Sequence, residues 1–300
     1  MPPGTTEADA AAYGASAAAP GAARARARPS RFHRHRARIG DTATVALLLL
    51  VMFPFFWLIQ MSLRPNDDIF GYSLAFTPTL EHYRALWTGN FPGSFVNSVV
   101  VSVSSTALAL LLGVPAAYAL SRAQFRSRRR IALWILASRM APPIAFTIPF
   151  FLAYREVGLL DTQLGLVIVY LTFNLALVIW MMRTFFEGVP RALEEAAWID
   201  GCGVWQAFLK VALPLSAPGL AATAVLCFIL SWNDFFFALV LTRTNASTAP
   251  VAIVGFIQYT GWEWGKIAAA GTLVMLPVVV FSILVRNHLV HGLTAGGTKE

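Results

Sequence analysis

The stretch Glu187–Pro218, "EGVPRALEEAAWIDGCGVWQAFLKVALPLSAP", interrupts a chain that otherwise consists of long apolar runs. Two short helices can be placed in it. Pro190 suits the first position of a helix, and Glu194 and Glu195 lie close enough to its start to interact favourably with the backbone dipole. Gly201 and Gly203 end that helix. In a second helix Trp205, Phe208, Leu209 and Ala212 fall at i, i+3, i+4 and i+7, one apolar face, before Pro214 stops it. The expectation is a bent helical pair protruding from whatever the flanking apolar runs build.

Those runs decide the fold class. Of 300 residues, 57% are hydrophobic and 13% charged, far more apolar than an average soluble domain, so the chain belongs in a membrane. Crossing a hydrocarbon core ~30 Å thick takes ~20 apolar residues rising ~1.5 Å each. Six segments qualify: Thr42–Leu63, one within the charge-free Ser94–Ser121, Ile131–Tyr154 interrupted only by Arg139, Thr162–Met182, roughly Ala217–Leu241, and Ile267–Val285. The expected fold is an all-α membrane protein with six transmembrane helices over residues 39–295.

Lys and Arg set the orientation. Seventeen of the 23 fall in the N-terminal tail, the loops after the second and fourth spans and the C-terminal tail; five fall in the alternate loops, and Arg139 is left within a span. Cytoplasmic loops retain positive charge, so both termini and the Glu187–Pro218 loop are expected in the cytoplasm. The net charge of +8 therefore reflects topology, and no nucleic-acid motif accompanies it. Residues 1–38, rich in Ala, Gly, Pro and Arg, are expected to form a disordered basic tail, with residues 296–300 as a short C-terminal one. The basic run ahead of an apolar one mimics a signal peptide, but "WLIQMSLRP" offers no small-residue cleavage site, and an uncleaved first span is expected. Cys202 and Cys227 read as free thiols.

An amphipathic element lying on lipid is the simplest account of the helical pair. Charge argues against it. Lipid-surface helices favour Lys and Arg, whereas Pro190–Asp200 sets Arg191 against Glu194, Glu195 and Asp200. Ala196 and Ala197 also leave the backbone approachable, so a cytosolic protein partner is the better inference.

Glu195-Ala196-Ala197, three residues, Gly201, nine residues, then Val211-Ala212-Leu213-Pro214 resembles the E-A-A-x3-G-x9-I-x-L-P signature of permease subunits of binding-protein-dependent ABC importers. Val211 stands where Ile is usual. From about Asp41 onward, "FVNSVVVS", "PAAYALSR", "GLLDTQLGL", "SWNDFFFAL" and "HGLTAGGTKE" together resemble the carbohydrate-importing, maltose-type branch. The resemblance implies an ABC importer type I permease in the cell membrane, pairing with a second permease subunit as a heterodimer. Two ATPase subunits or domains, separate from this chain, would carry ATP and magnesium, an extracytoplasmic solute-binding protein would dock outside, and this chain would bind no cofactor and catalyse nothing. It further implies that Glu194, Glu195, Ala196, Ala197, Asp200, Gly201, Val211, Leu213 and Pro214 form the ATPase-coupling element. In it Glu195 would supply a polar contact and Gly201 the bend, with Leu213 and Pro214 leading to the fifth span. The Gly-rich tail Gly292–Thr298 either reaches the ATPase or frays. An importer of polyol, amino acid, polyamine or phosphate is the alternative, and a secondary transporter a more distant one.

Charged groups at membrane depth mark pathways or partner contacts. Asp234 is positioned to line a sugar path with Trp232 and Asn233, or else to touch the companion permease. Arg139, just ahead of Pro142 and Pro143, either borders a cavity at a broken helix or snorkels to the surface. Tyr259, Trp262 and Trp264 suit an interfacial belt or contact with the binding protein.

Enzymatic readings fare poorly. "GWEWGKI" is one residue short of a phosphate-binding loop and lacks the Ser or Thr after Lys266. All five histidines lie in tails or loops and no H-E-x-x-H occurs, against a membrane hydrolase. Few buried charges and six spans also fit half a pathway better than a self-sufficient secondary transporter.

Overall fold

The structure is a computed structural model that describes residues 31–71, 75–122, 124, 126–140, 142–258 and 261–294; for 31–40, 258 and 284–294 it describes the backbone alone. Residues 1–30 of the expected disordered tail, Tyr259 and residues 295–300 lie outside the described residues. The chain divides into two compact units, Met1–Phe53 and Pro54–Glu300. The first holds most of helix α1 (Arg31–Ser62), whose apolar residues from Val45 to Phe53 are exposed, as suits lipid contact. Residues 31–38, expected to lack structure, are helical, because Arg and Ala favour the helix once a span is there to extend.

The second unit is built from α2 (Glu81–Thr88), α3 (Phe91–Arg122), α4 (Arg128–Met140), α5 (Pro143–Glu156), α6 (Gln163–Gly188) and α7 (Arg191–Ile199), followed by α8 (Val204–Leu215), α9 (Ala217–Trp232), α10 (Phe236–Leu241), α11 (Ala249–Val254) and α12 (Trp264–Thr294). A two-residue hairpin, β1 (Ile257–Gln258) against β2 (Gly261–Trp262), precedes α12.

Among the described residues, four helices are long and apolar enough to cross a membrane, Asp41–Ser62, Phe91–Arg122, Gln163–Gly188 and Trp264–Ile283, and there are up to six spans if each of two bent helix pairs counts as one. The expected third span is broken, α4 meeting α5 at 87° where Pro142 and Pro143 withhold backbone N–H groups. The expected fifth span is also shorter than a single rod: α9 ends at Trp232, and α10 resumes at Phe236. α8 and α9 meet at 77° around Ser216.

α3 and α6 form the central pair of the second unit. They approach closely because Gly113 faces Val178: a Cβ there would sit 2.7 Å from Val178 Cγ1. Around their C-terminal ends Tyr118, Met182, Phe186, Phe208 and Ala212 make one buried cluster with α8. Around the opposite ends Tyr154, Leu166, Tyr170 and Phe237 make another with α5 and α10. α6 starts sharply, its Thr162 hydroxyl accepting the Gly165 N–H at 3.0 Å.

Candidate functional site

The helical pair forms as a bent unit, with two corrections. α7 ends in a Schellman motif: Cys202 N–H donates to Ala197 O at 2.9 Å and Gly201 N–H to Trp198 O at 3.0 Å. Gly201 sits at φ 87°, a conformation that costs other residues strain, although nothing lies within 4 Å of a Cβ placed there. The bend therefore depends on backbone freedom and leaves space around it. Pro214, expected to stop the second helix, lies inside it: α8 widens into a π turn over Phe208–Ala212, with Leu213 N–H donating to Phe208 O. The wider turn relieves the clash a proline ring makes with the preceding turn. It also splits the expected apolar face, since Phe208 and Ala212 are buried whereas Trp205 and Leu209 are 58% and 44% exposed.

The other coupling candidates separate in the same way. Glu195, Ala196, Asp200 and Gly201 are exposed, Ala197, Val211 and Leu213 are half-buried, and Pro214 is exposed. Glu194 is the exception, being 1% exposed. Its carboxylate accepts the Tyr118 O–H at 2.7 Å and the Arg122 Nε–H at 2.9 Å, and Arg122 Nη2 as well. Arg122 Nη2 also donates to Val189 O at 3.1 Å. Glu194 thus cannot meet a partner through its carboxylate; it anchors α7 to the end of α3. What is exposed on the pair is Glu195, Trp198, Ile199, Val204 and Trp205.

A second feature lies within the spans. A cavity of about 220 Å³ is lined by Arg139, Pro143, Tyr170, Phe173, Asn174, Leu230, Ser231, Asp234 and Phe237. Asp234 occupies the break between α9 and α10, where its Oδ2 accepts the Ala238 N–H at 3.2 Å and the Tyr170 O–H at 2.7 Å. The carboxylate therefore satisfies backbone freed by the break, as irregular chain at membrane depth requires. Asn174 Nδ2 donates to Ser231 Oγ at 2.7 Å, and Ser105 Oγ donates to the same atom at 3.2 Å. Arg139 and Asp234 share this cavity, while Trp232 does not reach it. Trp232 is 1% exposed, stacks on Phe228 and donates Nε1–H to Val274 O at 2.9 Å, so it joins α9 to α12. Asn233 is exposed at the end of α9. Tyr170, Asn174 and Ser231 escaped the sequence reading; the i, i+4 spacing of the first two on an apolar helix was the available signal.

On the side of the chain bearing α2 and the hairpin, Trp262 and Trp264 pack at 4.7 Å, and Phe70 meets Trp264 edge-on at 6.3 Å. Asp161, at φ 55°, gathers the loop after α10. Its carboxylate accepts backbone N–H groups from Arg243, Thr244, Asn245 and Ala246 at 2.9–3.3 Å. Burial pushes this carboxyl up, but those four donors outweigh it and hold the group down to about 2. Nearby, Asn97 Nδ2 donates to Asn245 O and Ser247 O, fastening the same loop to α3. Among the described residues no cluster of His, Cys, Asp and Glu could hold a metal ion.

Residues 109–293 match the family of binding-protein-dependent transport system inner membrane components. The chain is 39% identical over 264 residues to the trehalose transport system permease protein SugB of Mycobacterium tuberculosis, covering 86% of this chain and 95% of that one. It is 34% identical over 261 residues to the trehalose/maltose transport system permease protein MalG of Thermococcus litoralis, covering 85% and 94%. Among solved structures, a bacterial ABC transporter involved in the import of the acidic polysaccharide alginate has a chain that superposes with a TM-score of 0.73 at 27% identity, covering 87% of this chain and 98% of that one. With broken spans, a protruding helical pair and this extent of similarity, the chain belongs to the binding-protein-dependent transport system inner membrane components, a family of permease subunits.

Proposed function

We propose that the chain is one of two permease subunits forming the heterodimeric pore of an ATP-driven importer, which moves carbohydrate from an extracytoplasmic binding protein into the cytoplasm. The observation that carries this reading is the outward surface of α7 and α8. It sets Trp198, Ile199, Val204 and Trp205 around Glu195, and it stands on a buried base at Tyr118, Phe186 and Phe208. Such a patch fits a cleft of another protein and suits an anionic lipid surface poorly. The partner is a separate ATPase, which carries ATP and magnesium; this chain needs no cofactor. Both termini lie in the cytoplasm, on the side of α7. Closure of two ATPase subunits moves the α7–α8 element, and the attached helices switch the pore by rigid-body rearrangement.

Relatives named for trehalose, maltose and diacetylchitobiose support a sugar cargo. The cavity at Tyr170, Asn174, Ser231 and Asp234 adds amide, hydroxyl and carboxylate groups beside Phe173 and Phe237, a set that suits sugar hydroxyls and ring faces. At about 220 Å³ it is smaller than ligand pockets of ~300 Å³ and more, so it holds part of a solute in transit. The Trp262–Trp264 surface faces the binding protein.

The test is co-purification with the native partners, followed by a ligand screen on the soluble binding protein by thermal shift. Sugars are expected to stabilise it. Stabilisation by amino acids, polyamines or phosphate alone would sink the carbohydrate assignment, and absence of any co-purifying ATPase would sink the importer assignment.

A further inference from the structure

Adjacent carboxylates on a helix point ~100° apart, and in α7 that angle separates two tasks. Glu195 faces outward, whereas Glu194 is buried with both oxygens engaged: Oε2 by Tyr118 and Oε1 by Arg122. We propose that the Glu194–Arg122–Tyr118 cluster is the joint that delivers movement of α7 to α3, with Glu194 as a positioning residue rather than an ATPase contact. The proposal rests on the importer reading above.

Three features carry it. First, the contact is directional. Arg122 meets Glu194 through two nitrogens and reaches Val189 O, in the turn between α6 and α7, with one of them. Both nitrogens converge on the one oxygen Oε1, and such a charge pair cannot slide as an apolar contact can, because moving either helix alone leaves the buried Glu194 carboxylate unpaired. Second, the joint spans four elements. The Tyr118 ring lies 4.7 Å from Phe208 of α8 and 5.5 Å from Phe186 of α6, so displacement of α7–α8 loads α3 and α6 together. Third, α3 continues from the joint as a 32-residue helix. Ser105 touches Ser231 at the cavity, and Asn97 and Ser98 hold the loop and α11 beyond it, Ser98 Oγ accepting the Ala249 N–H at 2.8 Å. One rod therefore connects the coupling helix, the cavity rim and the far loop.

The experiment uses the assembled complex in liposomes, with Cys202 and Cys227 replaced by Ser and nitroxide labels at Ala119 on α3 and Arg191 on α7. Pulsed spin-label distances are measured with and without ATP plus vanadate. A second pair runs from Arg191 to the equivalent helix of the companion permease. In the wild-type background trapping is expected to shift the second distance and leave the Ala119–Arg191 distance unchanged, since α7 and α3 travel together. In Glu194→Gln and in Arg122→Lys, trapping is expected to shift the Ala119–Arg191 distance. Solute moved per ATP, read with trehalose as the probe, is expected to fall about five-fold or more in complexes that retain the ATPase. A wild-type Ala119–Arg191 distance that changes on trapping, or one that stays fixed in Glu194→Gln, overturns the joint and leaves the importer reading standing. If Glu194→Gln does not assemble, Arg122→Lys, which keeps the charge but gives up the two-nitrogen contact, takes its place, and an unchanged Ala119–Arg191 distance there overturns the joint too. Failure of both wild-type distances to respond to ATP plus vanadate overturns the importer reading and the joint with it.

Discussion

Replacing Asp161 by Asn should loosen the loop Arg243–Ala246, and the size of the effect follows from the contacts. The Asp161 carboxylate gathers four successive backbone N–H groups, and Asn retains the shape of the side chain but not its charge. A carboxylate held at about 2, against an ordinary 3.8, carries about 2.4 kcal/mol of preference for the ionised folded form. The group sits in a partly exposed loop where solvent screens it, so about 1 kcal/mol of that is expected to survive. That figure corresponds to a roughly five-fold rise in local opening. Because the folded value lies below the unfolded one, this stabilisation is complete above about pH 4 and is lost as pH falls through about 2. Amide hydrogen exchange of the detergent-solubilised complex near pH 7 is the assay. Residues 243–246 should exchange about five-fold faster in Asp161→Asn, with the centre of α6 unchanged as an internal reference. Equal exchange rates in the variant and the parent would refute the account.

Further outcomes can be checked with the same material. Gly201→Ala places a Cβ at φ 87°, where space is open but the conformation costs about 1 kcal/mol, so assembly should survive while binding-protein-stimulated ATP hydrolysis falls; unchanged stimulation would count against the bend. Asp234→Asn can still accept from Tyr170 and Ala238, so sugar uptake should change more than complex assembly; lost association with intact uptake would assign Asp234 to the subunit interface instead. Gly113→Val forces α3 and α6 apart at Val178 and should cost about 1–3 kcal/mol, read as a lower Tm of the complex in detergent.

The six apolar runs, the bend at Gly201 and the protruding pair were legible because each is a local property. A run of ~20 apolar residues has no other home, and a glycine between two amphipathic segments ends a helix whatever surrounds it. Glu194 and Glu195 could not be told apart in that way. They are neighbours of one type, and what buries the first is Arg122, 72 residues away. Trp232 and Asp234 likewise looked like one pathway group until α12 claimed the indole and Tyr170, 64 residues distant, claimed the carboxylate. Pro214 read as a stop because a proline blocks an α turn, and only the π turn over Phe208–Ala212 makes room for it. Composition and spacing by themselves thus determined that this chain lies in a membrane, where it bends and which loop it offers outward. Which carboxylate is a handle and which a hinge was decided by tertiary structure, since burial of a charge depends on partners brought together across the fold.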